Sequence, residues 1–131
     1  MMEWSEQAAR FFAKAEENIA SAADDLAAGR YNACANRCYY AAFHAAIAAL
    51  IGAGVRPPRD RWGHDFVQAQ IAGELVNRRK EYPPEYKEML PRLFELRRLA
   101  DYQVADANPV TTRRALERAV RFVEAVKERR A

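Results

Sequence analysis

The chain has 131 residues, 50% of them hydrophobic and 30% charged, with only five glycines and six prolines. That composition excludes disordered, collagen-like and multidomain proteins and describes one helical domain over residues 1–131. Twenty-one lysines and arginines against 18 aspartates and glutamates leave a net charge of +3, too small by itself to argue for nucleic acid.

Alanine is the commonest residue, β-branched residues are sparse and apolar positions recur at three and four, which together predict an all-α fold. Trp4, Ala8, Phe11, Ala15, Ile19, Ala22 and Leu26 draw one apolar stripe along a first helix over about residues 5–28. Gly29 supplies its stop. A second helix, about 31–51, is apolar nearly all round after Cys38 and is expected at the centre of the domain. Cys34 and Cys38 share one face of it, too far apart along the backbone for an easy disulfide, and no further Cys or His pair completes a zinc site. They read as small apolar packers, and neither metal nor cofactor is expected.

Gly52, Gly54, Pro57 and Pro58 end the second helix and open a basic loop, with Arg56, Arg59 and Arg61, that runs to Gly63. It is the first candidate for a functional surface. A shorter helix over about 64–77 follows. Pro84 or Glu85 then starts another, reaching Tyr102, in which Pro91 predicts a kink or restart near residues 87–90. Asn108 and Pro109 break the chain again. Thr111 is the expected N-cap of a last helix, striped by Leu116, Ala119, Val123 and Val126 and ending near Arg129. Four long helices on connections that let neighbours run antiparallel predict an up-and-down bundle with one extra short helix. The longest apolar run, Cys38 to Ile51, has 14 residues and contains His44, and no N-terminal apolar segment resembles a secretory signal. A soluble cytoplasmic protein without a membrane span is expected.

Charge is unevenly spread. Residues 1–28 carry six acids and two bases, residues 111–131 seven bases and three acids, and Arg78, Arg79 and Lys80 form a further basic cluster. Solvated helix faces explain such a pattern, and so does phosphate contact on one side of the molecule. Arg37 precedes an almost wholly apolar run and so needs a partner, with Tyr40 and His44 on the same side of the helix. Asp101 is the proposed partner, a pair that alternatively does no more than fix helix register. Arg97, Arg98, Asp101 and Tyr102 crowd onto two turns. The arginines make a phosphate clamp if they face a cleft, or ordinary surface pairs if they do not. His44 and His64 are the only histidines, hence the acid–base candidates near neutral pH, but no serine or cysteine stands beside either to build a nucleophilic triad. A core position explains His44 equally, and a cap or tertiary hydrogen bond His64. Trp62, Tyr82 and Tyr86 are candidates for stacking on bases. Gly52-Ala53-Gly54 lacks the strand and third glycine of a dinucleotide fingerprint.

Leu26 to Tyr31, the string Asn36-Arg37-Cys38-Tyr39-Tyr40-Ala41-Ala42-Phe43-His44-Ala45-Ala46, His64 opening a helix, and Arg97 to Tyr102 together resemble the HEPN superfamily. They are most similar to its small stand-alone bacterial and archaeal members. The resemblance covers about residues 5–126. It implies a bundle of four long helices plus a short one, a homodimer, and a nucleotidyltransferase-like partner of the kind found in toxin–antitoxin pairs. Many HEPN proteins are metal-independent RNases carrying an Arg-x4-6-His motif. Here the matching arginine is Arg97, but Asp101 and Tyr102 follow in place of the histidine, so no catalytic residue is assigned. Arg37 and His44 meet the spacing but lie on the second helix. The resemblance groups Arg97, Arg98, Asp101 and Tyr102 with Arg37, Tyr40 and His44 as one polar cluster for a nucleotide or RNA, with His64 secondary. A metal-independent RNase toxin and a non-catalytic structural adaptor are the alternatives.

Overall fold

The computed structural model describes residues 4–130. Five α-helices follow in order: α1, Glu6–Ala27; α2, Tyr31–Gly52; α3, His64–Gln70; α4, Met89–Tyr102; and α5, Pro109–Arg130. No strand occurs among the described residues, so the all-α expectation holds. Ser5 caps α1, its hydroxyl accepting the Ala8 N–H at 3.2 Å. The helix ends where Gly29 turns left-handed (φ 77°) and the Arg30 N–H reaches back to the Asp25 carbonyl at 2.8 Å. α2 closes the same way, with Gly54 at φ 81° and the Val55 N–H on the Leu50 carbonyl at 2.9 Å. A side chain at either glycine would strain this return of the chain.

The three-residue turn after α1 lays α1 antiparallel against α2, which α3, α4 and α5 also contact. Burial explains why α2 is central: Ala45, Ala46, Ile47, Ala48, Ala49 and Leu50 are all buried, a run longer than one helical turn that leaves no side for solvent. Its alanines keep the neighbouring backbones close. Cys34 and Cys38 are buried within this packing as free thiols, their sulfurs 3.8 Å apart in a thiol hydrogen bond without a disulfide. At the far side of the core Phe122 of α5 meets Tyr86 and Tyr82 at ring-centroid distances of 5.1 and 6.0 Å. Tyr82 and Tyr86 are 5% and 6% exposed, which corrects their reading as base-stacking residues: their rings are core.

Two expectations change in detail and a third holds. The segment beyond α3 continues to Arg78, but Ile71–Arg78 is π-helical. Glu74 accepts from both Arg78 and Arg79, which pull its carboxyl down to about 2, and Arg79 also donates to the Ala53 carbonyl at 2.9 Å, fastening this segment to the end of α2. The predicted restart near residues 87–90 is present: Pro84–Lys87 forms a 3-10 turn and α4 begins at Met89, so Pro91 sits in a first turn that needs no donor from it. Asn108, not Thr111, caps α5. Its Oδ1 accepts the Val110 and Thr111 N–H groups at 2.9 and 3.1 Å, and Pro109 begins the helix with a backbone angle already suited to it. Asn32 ties the preceding connection to α2, donating to Asp106 (2.9 Å) and accepting the Ala107 N–H (2.8 Å). Among the described residues no helix is long and apolar enough to cross a membrane.

Candidate functional site

Arg97 organises the polar cluster. Its guanidinium carbon lies 5.3 Å from the ring centre of Tyr40, 5.8 Å from Tyr39 and 5.9 Å from Phe94. Phe94 stands one turn before Arg97 on α4, and the two tyrosines come from the middle of α2, where the helices cross. Asp101, one turn further on, brings Oδ2 to 3.3 Å from Arg97 Nε. Nε is nevertheless buried without a hydrogen bond, so the carboxylate supplies charge but not alignment. The three rings surround the guanidinium. Cation–ring contacts within about 6 Å contribute about 0.5–2 kcal/mol, at least as much as a half-exposed ion pair.

Tyr39 is 1% exposed and its hydroxyl has no hydrogen-bond partner. Burial pushes that phenol well above its usual range, with Tyr40 adding to the rise, Arg97 opposing it and Asp65 adding again. A permanently protonated phenol serves here as a ring under a cation, not as an acid or base.

The structure does not join Arg37 to Asp101. Arg37 is exposed and donates to Asn18 Oδ1 at 3.4 Å, whereas Asp101 belongs to Arg97. The apolar residues after Arg37 predicted burial, but Arg37, Tyr40 and His44 occupy the one side of α2 that is not covered, where Tyr40 and His44 are half-buried. Asn18 links this edge together. Its amide nitrogen donates to the Lys14 carbonyl at 3.0 Å and meets His44 Nδ1 at 3.3 Å, while its oxygen serves Arg37. Since the amide N–H can only donate, His44 Nδ1 is the acceptor and the ring is neutral. Burial, and then the Lys14 ammonium, lower the His44 pKa.

That shift fixes a pH dependence. A histidine whose folded-state pKa is lowered binds its proton more readily when unfolded, so its contribution is full above the ordinary imidazole value of about 6.5 and is lost as pH falls through the folded value. Thermal midpoints are expected to drop as pH falls below about 6.5, a fall that His44→Gln should reduce, as scanning calorimetry of both proteins would show.

Two of the grouped residues stand apart. Arg98 is exposed and makes a two-pronged pair with Glu95 at 2.7 and 3.0 Å, and Tyr102 is 74% exposed. Each is one residue, about 100° of helix rotation, from the position that faces the cluster. His64 stands nearer than its place in the sequence suggests: it opens α3 and lies over Phe94, with ring centres 4.5 Å apart. Its alternative reading as a cap fails, since Gly63 takes that position and no side chain caps the helix. Phe94 and Asn18 were missing from the sequence reading, and Tyr39 stood only in the string that carries the resemblance, not among the site residues. Phe94, three residues before Arg97, was the one with a local signal. The cluster can hold an anion against a pre-set guanidinium. Among the described residues no three His, Cys, Asp or Glu side chains converge as metal ligands.

A family model described as HEPN domain matches residues 4–129. No curated protein matches the chain.

Proposed function

From the premise that the chain belongs to the HEPN domain family, a nucleotide- or RNA-related helical module, we propose that it binds RNA or a nucleotide through Arg97. The observation that carries this reading is the guanidinium laid across Tyr39, Tyr40 and Phe94. A guanidinium immobilised before the ligand arrives loses little freedom on pairing with a phosphate, and its fork of donors matches phosphate oxygens. In this reading the module is a homodimer acting beside a nucleotidyltransferase-like partner, as in toxin–antitoxin pairs. Leu99, Tyr102, Val104 and Val110, exposed near the junction of α4 and α5, favour such contacts.

The RNase reading needs His44 or Tyr102 exposed beside Arg97, but His44 is half-buried with its Nδ1 engaged by Asn18, and Tyr102, though exposed, stands one residue off the face of α4 that carries Arg97. The adaptor reading, a polar cluster that only locks helix register, gains from a buried and mutually satisfied Arg37 and Asp101, and that pair is not formed.

Asp101→Asn tests the proposal. The ligand phosphate and the Asp101 carboxylate compete for one cation, so neutralising the carboxylate while keeping its shape should tighten RNA binding roughly threefold to tenfold. Fluorescence anisotropy with labelled RNA measures it. Unchanged or weaker binding, with the fold intact by circular dichroism, contradicts the proposal.

A further inference from the structure

Most arginines in the molecule are engaged. Arg78 and Arg79 share Glu74, Arg92 pairs with Glu88, Arg98 with Glu95, and Arg129 and Arg130 lie over the rings of Tyr82 and Trp4. Arg56, Arg59 and Arg61 of the loop between α2 and α3 are exposed and take part in none of the ion pairs among the described residues, as is also true of Arg113, Arg114 and Arg121 on α5; only the loop runs directly into His64. Arg59 and the neighbouring Asp60 both adopt left-handed backbone conformations (φ 57° and 55°), unfavourable for residues with side chains.

This loop leads directly to the Arg97 cluster. His64 follows Arg61 by three residues, so their Cα atoms are within about 11 Å whatever the path. His64 is exposed and backed by Phe94, and Phe94 in turn packs on the Arg97 guanidinium. A cationic loop, an exposed ring resting on a second ring, and a fixed guanidinium therefore occur in succession on one surface. Trp62 is half-buried and turned towards Phe66, with ring centres 6.2 Å apart, so His64 is the ring more open to a ligand.

We propose that this surface is a track for single-stranded RNA: Arg59 and Arg61 hold phosphates, His64 stacks on an unpaired base, and Arg97 takes a phosphate beyond it. The proposal rests on the nucleotide-binding reading of Arg97 and adds to it a length and a strandedness. Stacking on His64 needs a base whose face is free, which a paired A-form duplex does not present. A mononucleotide reaches Arg97 alone, whereas an oligonucleotide also reaches the loop.

The experiment titrates the protein with a labelled uridine octamer, an RNA duplex of the same length and AMP, over a series of salt concentrations. Each phosphate contact to a single strand contributes about 0.7 to the slope of log affinity against log salt, so Arg59→Ala with Arg61→Ala should reduce the octamer slope by about 1.4. The same double variant should weaken the octamer about tenfold and leave AMP unchanged. His64→Ala should also weaken the octamer, and His64→Phe should restore it, because the ring and not its proton is what matters. The duplex should bind at least tenfold more weakly than the octamer. An unaltered slope, equal affinity for the duplex, or equal loss of AMP and octamer overturns the track while Arg97 dependence survives. Wild-type protein that binds neither octamer nor AMP overturns the Arg97 reading as well.

Discussion

Phe122→Ala is expected to destabilise the protein by about 3–5 kcal/mol, a large share of the 5–15 kcal/mol that holds a domain of this kind folded. Phe122 is fully buried and packs at a tilt against Tyr86 and Tyr82, the residues that anchor the connection leading into α4 against α5. Removing the ring leaves a cavity between α5 and that connection, in a closely packed interior that closes over it only in part. Thermal unfolding should show a midpoint lower by roughly 10–20 °C. Val110→Ala, at a position 43% exposed on the same helix, should change stability by less than about 0.5 kcal/mol. Comparable losses in the two variants would mean that the Tyr82, Tyr86 and Phe122 cluster is not a principal part of the core.

Arg97→Ala is expected to weaken RNA binding about 10- to 100-fold, the range for losing hydrogen bonds to a charged group. Arg97→Lys should recover little of it. Lysine keeps the charge but offers a point cation in place of a planar fork of donors. The fold should survive both changes: Asp101, 30% exposed, is left in contact with water rather than stranded in the core. Binding measured on folded variants therefore separates a ligand site from a structural pair, for which affinity would not change.

The helices were legible because alanines and aromatics repeat with the helical period, and because Gly29, Gly52, Gly54 and the prolines interrupt it where the chain turns. The π-helical stretch from Ile71 was not, since the ties of Glu74 to Arg79 and of Arg79 to the Ala53 carbonyl join residues that no local pattern relates. Arg37 shows a different limit. Its apolar successors revealed that α2 is buried, but an alanine-rich helix carries too little contrast between its faces to tell which side stays open. Arg97 and Asp101 were legible as neighbours on the same two turns, although Asp101 was assigned to Arg37. That Tyr39 and Tyr40 lie beneath the guanidinium depends on where α2 crosses α4, and His64 comes near only because α3 packs beside that crossing.

The central claim, that Arg97 binds RNA without cleaving it, is tested most directly by incubating wild-type protein and an identically prepared Arg97→Ala variant with transfer RNA in the presence of EDTA, following retention and strand integrity together. The predicted result is intact RNA retained by the wild type and released by the variant. RNA cleaved by the wild type and left whole by Arg97→Ala would contradict the claim and make Arg97 a catalytic residue of a metal-independent RNase.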